Sequence, residues 1–384
     1  MKRLEELDSM RGIAALTVLI WHTMLILFTA VPAIALYSPI YFVMSGDEAV
    51  IFFFVLSGFV MSLPFYYGSI VSYTNYLVKR FFRIYVPYLV TIIITFLLST
   101  FFINEKVSDL SPWFNGKWFN HFNSHDIFSH VLLIGNFSTT EYNPVIWSLV
   151  QEMRISIIFP VIMIFIIKYG WKVNLGIGFI LYGIAQLNEI FRFQRSIGFH
   201  TSFFETLHYT FIFIIGALIA KNRGILINWY NKRPGFYKVI IISVAFFSYT
   251  YSRLVGPIMN KLGFTTIVHF AYSIKDIGVT LGAILFIIII LSNKKQAKIF
   301  SNELLVLNGK LSYSLYLYHV PVLLVTFHLF YNLIPIWFLL LVSFTLTFFI
   351  SFISYRFVEL PSINLAKVIT RNKSLHKGHK KAAS

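Results

Sequence analysis

His22 is an imidazole embedded in apolar residues, behind Ile13-Ala14-Ala15-Leu16-Thr17-Val18-Leu19-Ile20-Trp21, and Arg11 lies eleven positions before it. Eleven residues is close to three turns at about 3.6 residues per turn, so the two share a helix face about 16 Å apart along the axis. Asp8, three positions before Arg11, falls on that face and can pair with it. An imidazole whose unperturbed pKa sits close to working pH suits a general base. A histidine hydrogen-bonded to a neighbouring helix is the structural alternative. In Trp147-Ser148-Leu149-Val150-Gln151-Glu152-Met153-Arg154 the residues Ser148 and Glu152 also share a face. A carboxylate in an apolar run must be neutral or paired, which favours a histidine partner or a proton relay. Pairing with Arg154 through a third group is the structural reading. Arg80 and Arg83, three apart, can clamp phosphate oxygens bidentately, or anchor the chain to lipid headgroups. In Ser312-Tyr313-Ser314-Leu315-Tyr316-Leu317-Tyr318-His319, Tyr316 and His319 share a face and suggest a polar cavity, unless the tyrosines face headgroups. Ser57-Gly58 is a small pair in a bulky run and reads as close helix packing rather than as a nucleophile. Cys is absent, which excludes thiolate nucleophiles, disulfides and Cys-ligated zinc. No metal site and no permanently bound cofactor is expected.

The elements that must carry these residues are membrane spans. Of 384 residues, 57% are hydrophobic and only 12% charged, against about 25% charged in a soluble domain. So few polar groups cannot cover a water-facing surface, and a cytosolic enzyme, a disordered chain and a disulfide scaffold are excluded. Ten apolar runs approach the length of a span: 12–36, 49–67, 84–103, 145–167, 173–188, 206–220, 239–255, 274–292, 311–332 and 335–356, the fifth and sixth being short. The fold class is therefore all-α, a polytopic transmembrane helix bundle. The first run follows Lys2 and Arg3 as a signal peptide would, but Glu5, Glu6, Asp8 and its length mark a retained helix.

Basic residues collect in alternate loops: Lys79, Arg80 and Arg83; Lys168 and Lys172; Lys221, Arg223, Lys232, Arg233 and Lys238; Lys294, Lys295, Lys298 and Lys310. The tail adds Lys367, Arg371, Lys373, Lys377, Lys380 and Lys381. This alternation places both termini in the cytoplasm. The net charge of +17 then reports orientation and contact with anionic lipid rather than nucleic acid. Residues 1–360 form the membrane domain and 361–384 a basic, flexible cytoplasmic tail. The segment 104–144, with Trp113, Phe114, Trp118, Phe119 and Phe122, is a partly embedded hairpin or a lid over substrate.

Six segments in order resemble the acyltransferase-3 family of bacterial integral-membrane acyltransferases, nearly end to end. They are Leu7-Asp8-Ser9-Met10-Arg11-Gly12-Ile13-Ala14-Ala15 running on to His22; Phe53 to Val60; Arg80 with Arg83; Trp147-Ser148-Leu149 with Glu152; Ser312 to His319; and Tyr355-Arg356-Phe357-Val358-Glu359-Leu360-Pro361. Met10 stands where Leu or Phe is more usual. Gln151 to Ile155 lacks the second acidic residue and aromatic pair often found there.

The resemblance implies a transfer of an acyl group, by default acetyl, from cytoplasmic acetyl-CoA or another acyl-CoA to a hydroxyl of a cell-surface or lipid-linked saccharide, at the bacterial cytoplasmic membrane. By it, His22 is the catalytic histidine and Glu152 belongs to the catalytic centre. Arg11, Arg80 and Arg83 hold the donor, and Asp8, Ser57, Ser148, Tyr316 and His319 support the site. The form expected is the one without a fused esterase-like domain. Its partners are the acyl-CoA, the saccharide, membrane lipids and either a second copy of the chain or surface-polysaccharide biosynthesis proteins. His22, aligned or charge-balanced by Glu152, deprotonates the acceptor, or else carries the acyl group as a transient acyl-histidine. A transporter or flippase lined by His22, Glu152 and His319 is the competing class, and a lipid-binding scaffold the third.

Overall fold

The structure, a computed structural model, describes residues 4–67, 72–103, 105–264 and 270–382, without the side chains of 294–296 and 372–382. Lys2, Arg3 and the side chains of Lys294, Lys295, Lys373, Lys377, Lys380 and Lys381 lie outside the described residues. Among those described there is no strand. Ten helices are long and apolar enough to cross a membrane: α1 (Glu5–Leu27), α2 (Gly46–Tyr66), α3 (Tyr73–Ser99), α4 (Ile146–Lys168), α5 (Trp171–Phe191), α6 (Phe203–Asn231), α7 (Gly235–Lys261), α8 (Ala271–Ser292), α9 (Glu303–Phe330) and α10 (Ile336–Arg371). The chain is an all-α, multi-pass membrane protein.

Several boundaries differ from the apolar runs. The first run continues to residue 36, but α1 stops at Leu27 and Phe28 is extended. Pro32, which lacks an amide proton and disfavours helical geometry at Val31, separates it from the short helix Ala33–Tyr37. The fifth and sixth spans are full-length, 21 and 29 residues, because their polar ends are helical too. Beyond residue 360 the expected tail continues the helix of α10 as far as Ala382. Ser362 and Ala366 there are buried rather than solvated.

Two helix pairs form the centre, and each is closed by facing glycines. A Cβ at Gly12 of α1 would sit 2.7 Å from the Gly309 nitrogen of α9, and one at Gly309 would sit 2.2 Å from the Asp8 carbonyl oxygen. Likewise a Cβ at Gly58 of α2 would meet the Phe213 oxygen of α6 at 2.2 Å, and one at Gly216 the Val55 oxygen at 2.2 Å. In lipid there is no hydrophobic drive between helices, so such backbone contact supplies much of the cohesion. The two pairs meet through α1 and α2, and α3 and α4 pack beside them. Here the end of the bundle that carries Lys79 to Arg83 is called lower, and the end that carries 105–144 upper.

Candidate functional site

The residues singled out above fall into two groups. One cavity in the lower half of the bundle is lined by Arg11, Ser57, Arg80, Arg83, Ser148, Glu152 and Tyr316, together with Phe53, Phe54, Ser312 and Tyr313. His22 and His319 lie above it, beyond Tyr316, whose ring centroid is 6.0 Å from that of His319. Asp8 is buried on α1, one turn below Arg11.

The arginines owe their placement to a widened turn. α3 begins at Tyr73, so Arg80 and Arg83 are part of a helix rather than of a loop before one. Residues Phe81–Tyr85 form a π turn in which the Val86 amide donates to the Phe81 oxygen. Pro87 follows at once. A proline in an α-helix clashes with the carbonyl four residues back, and a widened turn relieves that clash. The shift releases the Phe82 oxygen, and Ser362 Oγ donates to it. The same device recurs at Tyr355–Glu359, where the Leu360 amide donates to the Tyr355 oxygen and Pro361 follows. Both turns are tied to α9: Tyr313 Oη donates to the Ile84 oxygen at 2.6 Å, and Ser314 Oγ to Glu359 Oε2 at 2.9 Å. Two prolines and three hydroxyls thus set the wall that presents the guanidiniums.

Glu152 sits in this cavity. It accepts from Ser57 Oγ at 3.3 Å and lies 4.0 Å from Arg80 Nη1. The expected alignment of His22 by Glu152 is absent from the hydrogen bonds among the described residues, because one turn of α4 and the Tyr316 ring intervene. Ser148 Oγ and Tyr316 Oη share a hydrogen bond of 2.7 Å, and both hydroxyls also reach the Val145 oxygen, at 3.0 and 3.4 Å. Ser57 is polar contact and Gly58 is packing, so that small pair divides its work. Arg154 is not a partner of Glu152. Its guanidinium donates to the oxygens of Ile134, Gly135, Thr201 and Ser202 and to Thr206 Oγ1, at 2.7–3.0 Å.

The partner of His22 is His319. His319 Nδ1 is 3.1 Å from the Leu315 oxygen. A carbonyl only accepts, so Nδ1 carries the proton and Nε2 of the neutral ring is an acceptor. His22 Nδ1 faces two acceptors, that Nε2 at 3.1 Å and the Val18 oxygen at 3.0 Å, and must itself be protonated. The partners thereby assign the tautomer that leaves His22 Nε2 with a lone pair that no described residue engages. His319 is fully buried and His22 partly so.

The segment 105–144 packs against the bundle beside this pair. Ser111 closes the end of α1, with its amide on the Ile26 oxygen at 3.1 Å and its hydroxyl on the Leu25 oxygen. The same hydroxyl accepts from the Phe114 amide and starts the short helix Pro112–Asn115. Trp113 is thereby set 5.5 Å from the His22 ring, with Lys117 Nζ 4.7 Å from the Trp113 centroid. Asn143 donates to the Leu317 oxygen at 2.9 Å, the carbonyl that Pro321 leaves unpaired four residues later. The segment therefore packs on the end of α1 and lies against His22.

Sequence reasoning gave no role to Glu359, which it met only within a motif, to Glu48, or to the pair His208–Asp276. Glu48 is 1% exposed and accepts from Tyr41 Oη. Asp276 is fully buried, with His208 Nε2 at 3.0 Å and Lys275 Nζ at 3.6 Å. Each stands within a few residues of a helix end or inside an amphipathic motif, so composition alone gives it the look of an interfacial residue.

The chain has relatives among known proteins. Proteins of Staphylococcus aureus strains COL, MRSA252 and N315, each named "Putative O-acetyltransferase", are 26% identical to it over 394 aligned residues, which cover 94% of this chain. The chain spans 57% of the length of these curated relatives. No solved structure matches it. Residues 4–356 match the acyltransferase domain, and that stretch holds both the histidine pair and the arginine-lined cavity; the chain belongs to the acyltransferase-3 family.

Proposed function

We propose that this protein is an O-acyltransferase that moves an acyl group from a cytoplasmic acyl-CoA to a hydroxyl of a saccharide at the cell envelope. The single observation that carries the reading is the free Nε2 of His22, held by His319 directly above a cavity walled by three arginines. Arg80 and Arg83, with Arg11, neutralise and orient the phosphates of the donor. The lower end is cytoplasmic on this reading, as the basic loops favour, and both termini share that side. The acyl arm passes Phe53 and Tyr316 to reach the histidines.

At the top of the path His22 Nε2 takes the proton of the acceptor hydroxyl while its oxygen attacks the thioester carbonyl. The carbon–sulfur bond then breaks, the imidazolium returns the proton to the thiolate, and CoA leaves as the thiol. In the relayed form Nε2 attacks the thioester carbonyl, the carbon–sulfur bond breaks and CoA leaves as the thiolate. The hydroxyl oxygen then attacks the acyl-imidazolium, the carbon–nitrogen bond breaks to restore the neutral ring, and the hydroxyl proton ends on the thiolate. His319 Nε2 stabilises the charge on His22 in either form, and Trp113 with its segment limits water at the reacting atoms.

The test uses purified protein in liposomes with labelled acetyl-CoA and an extract of lipid-linked saccharides. Release of free CoA together with labelled saccharide is expected, and its loss in His22→Ala. Movement of saccharide across the bilayer with the thioester left intact would instead make the protein a transporter.

A further inference from the structure

A second cavity opens at the upper end of the bundle between α5, α6 and α8, walled by Gln186, Glu189, His200, Glu205, Tyr209 and Tyr272. It shares no wall residue with the arginine cavity. The cavity is open to the surface and has a volume of about 220 Å³, room for one small ring rather than for a drug-sized ligand of roughly 300–1,000 Å³.

Its polar atoms are held in place by the residues around it. His200 Nδ1 is 2.5 Å from Glu205 Oε1, and the other carboxylate oxygen accepts from Ser196 Oγ and the Ser202 amide. The backbone oxygen of His200 is fixed by Gln151 Nε2 at 2.7 Å. Its ring lies 4.5 Å from that of Tyr272, at 34°. Two side-chain atoms of this wall, His200 Nε2 and Gln186 Oε1, are buried and have no hydrogen-bond partner among the described residues. Buried polar atoms are nearly always paired, so two orphans in one cavity ask for a ligand. Gln186 Oε1 is an acceptor, while His200 Nε2 accepts from the neutral ring and donates from the charged one. A hydroxyl both donates and accepts, so it satisfies either state and also tolerates the flanking carboxylates. The rings of Tyr209 and Tyr272 offer an apolar face. The carboxylates of Glu189 and Glu205 disfavour a phosphate-bearing molecule, so the acyl donor does not belong here.

We propose that this cavity holds one sugar ring of a saccharide, a residue of the acceptor remote from the hydroxyl that is acylated. As an acceptor subsite it rests on the reaction proposed above; as a saccharide site it does not. It lies at the same end as the cover over His22: Asn136 of the 105–144 segment donates to the Arg195 oxygen and accepts from Thr201 Oγ1, joining the two connections into one surface.

The test is saturation-transfer NMR on the purified full chain in a sugar-free detergent, with maltotriose and the trisaccharide of N-acetylglucosamine as probes and glycerol as control. Transfer to ring protons of at least one trisaccharide is expected in the wild type and in His22→Ala, with loss in Tyr272→Ala and at least a fivefold weakening in Gln186→Ala. The second variant keeps the test informative if the first fails to fold. No transfer from wild type to either trisaccharide, or transfer unchanged in both cavity variants, overturns the proposal. CoA release is measured separately, so sugar binding without it refutes the reaction and leaves the site standing.

Discussion

His319 Nε2 lies 3.1 Å from His22 Nδ1, and each Nδ1 also faces the carbonyl one turn back on its own helix. The pair spans α1 and α9, the two helices locked by Gly12 and Gly309. Rotation of either helix would part the rings, so catalysis is expected to depend on both. His22→Ala should lower the rate of acyl transfer by about 10²–10⁴, the usual worth of a general base. His319→Ala removes a hydrogen bond to a ring that becomes charged, about 1.5–3 kcal/mol, or roughly tenfold to a hundredfold in kcat with little change in KM. His319→Gln, which keeps an acceptor, should recover part of that loss. A structural role alone would move kcat and thermal stability together and show no rescue.

Arg80 and Arg83 are expected to act on KM. Each supplies hydrogen bonds to a charged group, so Arg80→Ala and Arg83→Ala should raise KM for acetyl-CoA by about tenfold or more with kcat less affected. Lysine at either position should fall short of wild type, because an ammonium lacks the planar fork. The measurement is initial rate against acetyl-CoA at two salt concentrations. The wild type should lose affinity with salt more steeply than the variants. Equal KM in wild type and both alanine variants would remove the arginines from donor binding.

What the chain reveals by itself follows from the range of each interaction. Apolar run lengths depend on composition over some twenty residues, so ten spans are legible, while Pro32 and the polar ends of α5 and α6 shift the edges. Spacing within a helix is also legible, which is why Arg11 and His22 fall on one face. Pairing between helices is not, because it depends on rotation and tilt set by contacts such as Gly58 on Phe213. Glu152 and His22 both look like residues in search of a partner. The fold gives Glu152 to Ser57 and Arg80, and His22 to His319. Arg154 beside Glu152 looks like an ion pair in one dimension. In three it is the clasp for Ile134, Gly135, Thr201 and Ser202.

That clasp leads to a stability prediction. Arg154→Ala would take the guanidinium from the carbonyls of Ile134, Gly135 and Thr201, while Ser202 and Thr206 keep each other, at about 1–3 kcal/mol for each buried group that water cannot reach. Arg154→Lys should also fall well short, since one ammonium cannot span those acceptors. Limited proteolysis should show the 192–202 connection cut first in both variants, with cleavage unchanged from wild type counting against the clasp.

The glycines sort into two kinds. At Gly309 an added methyl meets backbone atoms of α1 that cannot give way, and overpacking of this sort costs about 1–3 kcal/mol. Gly309→Ala should therefore lower the melting temperature in detergent and reduce activity by displacing His319 relative to His22. Gly176→Ala and Gly183→Ala on α5 meet nothing within 4 Å. There the gain in helix preference, about 0.5–1 kcal/mol, should leave the protein as stable or more so. Equal destabilisation at all three positions would contradict the close approach of α1 and α9.

Lys117, outside the spans, provides a pH signature for the cover over His22. Burial pushes its ammonium down to about 8, against the opposing pull of Glu141. Its Nζ still donates to the Thr140 oxygen at 2.7 Å and lies against the Trp113 ring. In the unfolded chain the same group keeps its proton to about 10.4. Between those two values the unfolded state binds more protons, so this group's contribution to stability rises with pH. Below about pH 8 the penalty for the buried charge is present in full, and above about pH 10.5 it is gone. Lys117→Met carries no such penalty at any pH. The melting temperature of Lys117→Met minus that of wild type should therefore shrink as pH rises from about 8 to about 10.5. A difference that stays constant across this window would mean that Lys117 is solvated in the folded protein and that the cover over Trp113 and His22 is open to water.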